Sequence, residues 1–254
     1  GEIISADPTF QALLRYAETF KAKVHRVPLD ENMEHDLPAM SEKINKNTRL
    51  IFVCNPNNPT GTLLNKSSLV DFCKSHEKDA VIFSDEAYYD FITEPEYPSM
   101  VELVKEGRNI IVSKTFSKVY GLAGLRVGYL IAKPEIARNL KSAVMANTNI
   151  LAIEAAKEAL KDDEFYKYSI LQNFKAKSLI YEYLDDLGLE YIKSHTNFVF
   201  FKTGRPIQTM INDMKKHNVL IGRPFPPLNT WARISTGRLD DMETFGEALK
   251  QVMS

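Results

Sequence analysis

Leu50-Ile51-Phe52-Val53-Cys54-Asn55-Pro56-Asn57-Asn58-Pro59-Thr60-Gly61 joins a short β-branched and aromatic run to a loop crowded with amide side chains and prolines. The first half reads as a buried strand. The second half stops it, because proline has no N–H to give to a sheet ladder. The same texture recurs at Ala80–Phe83, Asn109–Val112 and Val127–Ile131, each bounded by polar or turn residues. Between Leu50–Val53 and Ala80–Phe83, Leu69, Phe72, Cys73 and His76 fall at i, i+3, i+4 and i+7 behind Asn65, a suitable N-cap, which describes an amphipathic helix. Strand, helix, strand at this spacing predicts an α/β fold around a mostly parallel sheet.

Working outward, Glu2-Ile3-Ile4-Ser5-Ala6 reads as a strand already under way. No start signal stands before it and residue 1 is Gly, so a preceding segment is expected, and with it the option of a targeting signal upstream. In the other direction, the stretch from Phe165 to Gly188 holds no proline, and Ile180, Tyr183, Leu184 and Leu187 form a helical stripe ending at that glycine. A helix of this length can join two domains. Beyond it the pattern predicts a strand at Phe198–Lys202, a helix carrying Ile207, Met210, Ile211 and Met214, short strands at Val219–Ile221 and Ala232–Ser235, and a last helix with Met242, Phe245, Leu249 and Val252. The expected division is therefore a large domain over residues 1–163 and an interdomain helix with a small α+β domain over 164–254.

Composition narrows the function. The 254 residues are 44% hydrophobic, enough for a core without a disulfide or metal staple. Lys and Arg number 32 against 33 Asp and Glu, so no polybasic surface for nucleic acid is indicated and small molecules become the expected partners. The apolar runs are strand-sized, too short to span a membrane. Cys54 and Cys73 are spaced for neither a redox pair nor a zinc site, and read as reduced, packed thiols of a cytoplasmic protein. The histidines show no metal-binding spacing, so no metal is expected, and no dinucleotide, Walker or nucleophile-elbow motif occurs.

Four polar clusters stand at the expected strand ends, where open α/β sheets bind ligands. They are N-P-N-N-P-T-G at Asn55–Gly61, D-E-A-Y at Asp85–Tyr88, S-K-T-F-S-K at Ser113–Lys118, and L-A-G-L-R-V-G at Leu122–Gly128. In this order and spacing they resemble the fold type I pyridoxal-phosphate enzymes of the class I/II aminotransferases, most of all the histidinol-phosphate aminotransferase group. The resemblance runs over essentially the whole chain. It implies a PLP-transferase large domain sandwiched by helices, a smaller C-terminal domain, and pyridoxal 5'-phosphate as cofactor.

By that resemblance, Asp85 holds the proton on the cofactor's ring nitrogen, Asn58 and Tyr88 donate to its ring oxygen, and Lys118 is the Schiff-base lysine and proton carrier. Lys114 is a competing amine, but Ser117 before Lys118 and the eight-residue step to Arg126 favour Lys118. Arg126, Thr115 and Ser117 would hold the phosphate, and Phe10 would stack on the ring. Arg233, in W-A-R-I-S, would grip the substrate's anionic end, with Arg223 a second candidate and Asn197 lining the same pocket. Two departures from the group concern specificity: Gly222 is interposed before Arg223, and Arg238 stands where threonine is usual.

The implied activity is transamination between an L-amino acid, or histidinol phosphate, and a 2-oxo acid, in a homodimer whose partner subunit completes each site. Members of the group carry a further N-terminal segment that contributes to that site. The alternatives are a decarboxylase or lyase of the same fold, or a catalytically inactive fragment.

Overall fold

The computed structural model describes residues 1–253. In chain order, β1 (Glu2–Asp7), α1 (Ala12–Thr19), β2 (Lys23–Pro28), α2 (Leu37–Glu42), β3 (Thr48–Cys54), α3 (Lys66–His76), β4 (Val81–Asp85), α4 (Val101–Lys105), β5 (Ile110–Thr115) and β6 (Gly128–Ala132) build the first sheet and its covering helices. Then follow α5 (Pro134–Ser142), α6 (Ile150–Ala159), α7 (Asp163–Asp186), β7 (Tyr191–Ile192), β8 (Phe198–Lys202), α8 (Ile207–Lys216), β9 (Trp231–Ser235) and α9 (Leu239–Met253).

Six strands lie in the order β2-β1-β3-β4-β5-β6. Neighbours are parallel except at β5/β6, where Ser113 faces Leu130 in an antiparallel pair. Period two divides the core between the two faces. Ile51 and Val53 turn to one side with Ile4, Ile82 and Ile110, and pack against Leu69, Phe72 and Cys73 of α3. Phe52 and Cys54 turn to the other, with Ile3 and Leu14 of α1. Burying each of these large side chains contributes roughly 1.5–3 kcal/mol, and helices on both faces keep the parallel ladders out of water. Asn65 caps α3 as its position suggested, its side-chain oxygen accepting from the backbone N–H groups of Ser67 and Ser68. The far edge is different. Among the described residues β6 pairs on one side only, and Tyr129 and Leu130 are 44% and 47% exposed.

The second sheet is antiparallel, β7-β8-β9. Its inner face carries Val199, Phe201, Ala232 and Ile234 against Ile180 and Leu184 of α7, Met210 and Met214 of α8, and Phe245 and Leu249 of α9. Helices α7 and α9 cross so closely that a Cβ at Gly246 would fall within the Tyr183 ring. One sequence expectation fails here. Val219–Ile221 is no strand, and a single backbone bond, from Gly222 N–H to the Arg233 carbonyl at 2.8 Å, ties this stretch to β9. The run is hemmed in by the left-handed turn at Asn218 before it and by Pro224 shortly after it, which has no N–H to offer.

Candidate active site

Loops leave the C-terminal ends of β3, β4 and β5 at one edge of the six-stranded sheet. Arg126 joins them from the opposite chain direction: β6 is antiparallel, so its beginning lies at this edge.

The loop after β3 uses its three asparagines differently. Asn55 is structural, its Oδ1 accepting from Leu64 N–H and its Nδ2 donating to the Tyr97 hydroxyl. Asn57 is buried in a polar network, where its Oδ1 accepts from Thr9 and contacts His35 Nε2, and its Nδ2 donates to Pro8 O and Thr60 Oγ1. Asn58 alone is turned to the functional side. Its Oδ1 accepts from Arg233 Nη1 at 2.6 Å, and its Nδ2 lies 3.5 Å from the Tyr88 hydroxyl. Gly61 closes the loop at φ +78°, and a Cβ there would come 2.6 Å from Ser194 Oγ, so this position admits no side chain.

Asp85 ends β4 with Oδ1 held by the Ser113 hydroxyl at 2.9 Å and the Ala87 N–H at 3.2 Å. Its Oδ2 has no hydrogen-bond partner among the described residues, and Asp85 is one of the residues lining the cavity described below. Burial raises the Asp85 pKa, and these two donors pull against it. Glu86 points the other way, accepting from the Ser99 hydroxyl, Met100 N–H and, at 2.7 Å, Lys114 Nζ. That pairing commits Lys114. Lys118 Nζ has no hydrogen-bond partner among the described residues and stands 5.0 Å from the Tyr88 ring. Burial, and next the Arg233 guanidinium, lower the Lys118 pKa, with Asp85 opposing. Tyr88 stands edge-on to Phe198 at 5.3 Å, and burial raises its pKa.

Phe10, Asp85, Tyr88, Thr115, Ser117, Lys118 and Arg126 line one cavity of about 400 Å³, together with Cys54. Arg126 adopts φ 55°, ψ 48°, a left-handed backbone uncommon for a residue with a side chain. A second cavity of about 470 Å³ shares Lys118 and is lined also by Asn197, Thr236 and Arg238. Arg233 is half-buried, its guanidinium 4.8 Å from the Phe198 ring and 5.0 Å from the Phe225 ring, and its Nε is buried with no partner. Arg223 is not gathered in. It is exposed, bonded to the Pro224 carbonyl and laid over Phe225 at 4.3 Å. Arg238 is paired with Asp240 at 3.0 Å and exposed.

Sequence reasoning passed over Ser113 as a partner of Asp85, the Glu86–Lys114 pair, and the Phe198 and Phe225 rings beneath Arg233. Ser113 and Lys114 lie inside a motif already singled out; the two rings come from segments with no local signal. Among the described residues, no group of three or more His, Cys, Asp or Glu side chains is placed to hold a metal ion, and no helix is long and apolar enough to cross a membrane.

The family model for aminotransferase class I and II matches residues 1–249. The chain belongs to this family. The histidinol-phosphate aminotransferase of Moorella thermoacetica is 39% identical over 257 residues, an alignment covering 100% of this chain and 66% of that protein. The chain thus spans just under two thirds of the length of this aminotransferase relative. Among solved structures, the histidinol-phosphate aminotransferase of Sinorhizobium meliloti, in complex with pyridoxal-5'-phosphate, superposes with TM-score 0.91 at 26% identity, covering 100% of this chain and 70% of that one. That of Clostridium acetobutylicum gives 0.91 at 27%, covering 99% and 78%.

Proposed function

We propose that this chain carries the catalytic machinery of a pyridoxal-phosphate-dependent transaminase, moving an amino group between an L-amino acid or histidinol phosphate and a 2-oxo acid. The observation that carries the reading is the convergence of a carboxylate, a phenol, an unpaired amine, hydroxyls and a guanidinium on one cavity. The donor set fits pyridoxal 5'-phosphate group by group, a cationic ring nitrogen, an anionic ring oxygen, an aldehyde and a phosphate each finding a suitable side chain.

When bound, this cofactor supplies a protonated aromatic ring that withdraws electrons from the substrate carbon bearing the amino group. Asp85 would hold the ring-nitrogen proton with its free Oδ2. Asn58 Nδ2 and the Tyr88 hydroxyl would donate to the ring oxygen, and Phe10 would cover one face of the ring. The Arg126 fork with the Thr115 and Ser117 hydroxyls would hold the phosphate. Lys118 is the amine that takes and returns the proton at the substrate α-carbon, and its lowered pKa favours the neutral form this task requires. Arg233, with Nε unpartnered and Nη1 already on Asn58, would grip the substrate's anionic group; Asn197 stands beside Lys118 in the adjoining cavity.

The wider reading follows the family: a large unit over residues 1–163, a small one over 164–254, assembly as a homodimer, and small-molecule amino donor and oxo-acid acceptor as the partners. Two buried, free cysteines support a reducing, cytoplasmic setting.

The test is an absorbance spectrum with added pyridoxal 5'-phosphate, before and after borohydride, followed by peptide mapping and a screen of amino donors that includes histidinol phosphate. A visible band, with the reduced label on Lys118 and a 2-amino acid formed from the oxo acid, supports the reading. Carbon dioxide release instead of amino transfer would assign a decarboxylase of the same family. No band in this chain or in one extended to its relatives' length would overturn the cofactor assignment.

A further inference from the structure

The segment that leads into β8, residues 193–197, is held from two sides. From α7, Lys177 Nζ donates to the Ser194 carbonyl at 2.5 Å, and Asn173 Nδ2, one turn earlier, donates to the Thr196 carbonyl at 3.1 Å. Thr236, just past β9, has its hydroxyl 2.9 Å from both Asn173 Oδ1 and the Asn197 carbonyl, with one proton to share, and its N–H donates to the same Asn197 carbonyl at 2.9 Å. On its other side the segment meets the loop after β3. His195 N–H donates to the Gly61 carbonyl at 2.9 Å, and Ser194 Oγ occupies the space where a Gly61 side chain would be. The Gly61 N–H in turn donates to Asn57 O, and Asn57 N–H to Thr62 O, so residues 57–62 form a closed turn that contains Asn58.

Lys177 is expensive to place there. It is 6% exposed, makes one hydrogen bond, and has no carboxylate partner among the described residues. Burial without a counter-charge depresses its pKa to about 8. A methionine would fill the same volume at lower cost. What the amine adds is its grip on the Ser194 carbonyl.

We infer that Lys177 and Asn173 are positioning residues: through the 194–197 segment they fix the Asn57–Thr62 turn and Asn197, and so place the amides that Asn58 and Asn197 present to cofactor and substrate. The roles of those two amides rest on the functional reading above; the mechanical link does not.

The test separates the two. Lys177→Met keeps nearly the volume of the side chain and removes the amine. In the chain without cofactor, amide hydrogen exchange across residues 57–64 and 193–198 should quicken about tenfold, as for loss of one buried hydrogen bond from a charged donor, while exchange in α8 stays unchanged. With pyridoxal 5'-phosphate added, its affinity should weaken several-fold and the pH titration of its visible band should shift, because Asn58 no longer holds its place. Lys177→Arg, which keeps a donor, should move both readings back toward wild type. Should Lys177→Met fail to fold, Thr236→Val removes the hydroxyl bond to Asn173 isosterically, leaves the backbone bond to the Asn197 carbonyl in place, and should give the same exchange pattern at smaller amplitude. Unchanged exchange at residues 57–64 in the variant that folds overturns the inference, even if its thermal stability drops. A wild type that takes up no cofactor while that exchange still quickens would overturn the functional reading and leave the link between α7 and the Asn58 turn standing.

Discussion

The edge of the six-stranded sheet and the arginine side of the three-stranded sheet are built on opposite plans. At the first, the groups come from several loops and two of them are fixed by short bonds: Asp85 by Ser113 and Ala87, and Asn58 by Arg233, with the turn around Asn58 held by the Asn57 network. At the second, two arginines ten residues apart have unequal standing. Arg233 lies in β9 opposite Phe200, its guanidinium between two rings, whereas Arg223 sits in a proline loop and bonds only the carbonyl next to it. A charged group is positioned here by the element that carries it, more than by its distance from the cavity. Groups that are fixed in advance need no reorganisation when charge develops in front of them.

That contrast predicts a ranking. Lys118→Ala should cause the largest loss, on the order of 10⁴-fold in kcat, since the proton carrier itself is gone; borohydride labelling should vanish with it, and a label persisting on Lys114 would break the distinction drawn from the Glu86 pair. Asp85→Asn comes next, with kcat falling on the order of 10²–10³-fold and KM changing little, as for loss of a preorganised electrostatic partner. Across the cavity, Arg233→Ala should raise the oxo-acid KM about 10- to 100-fold through loss of a charge-assisted bond, while Arg223→Ala stays within a few-fold. Equal effects would show that the exposed arginine swings in and that the strand confers no advantage.

The pH profile sharpens the same comparison. Burial and then Arg233 lower the Lys118 pKa, so activity should climb as pH rises through that lowered value and the ammonium loses its proton. Arg233→Ala removes a neighbouring positive charge and should move the midpoint upward; a downward move would mean that Arg233 is not felt at Lys118. The smallest effect is expected beneath the loop. His35 is fully buried, and burial depresses its pKa to about 4 from 6.5. The unfolded chain therefore binds the extra proton between those values, so wild-type stability should rise with pH across that window and be lost on acidification. His35→Gln should flatten this dependence in urea melts taken from pH 7 down to 4.

Much of this was legible because the chemistry is local in sequence. Asp85, Tyr88, Ser117, Lys118 and Arg126 lie within three short segments, each tied to a strand whose apolar run announces itself, and parallel pairing brings those ends together. What stayed hidden depends on pairs far apart. His35 meets Asn57 across 22 residues and Arg233 meets Asn58 across 175, and neither leaves a periodic trace. β2 escaped for another reason. Lys23-Val24-His25-Arg26-Val27-Pro28 is an edge strand whose exposed positions are Lys23, Arg26 and Pro28, so it shows no apolar run. The misplaced strand at Val219–Ile221 is the converse case, an apolar run hemmed in between the turn at Asn218 and Pro224.

β6 has a bearing on handling. Among the described residues no strand pairs with its outer ladder of N–H and C=O groups, and Tyr129 and Leu130 put aromatic and aliphatic surface beside it. Such an edge is a template for sticking to other chains. Preparations of this polypeptide should therefore scatter more light as they are concentrated, and a lysine at Leu130 would be the first solubilising substitution to make.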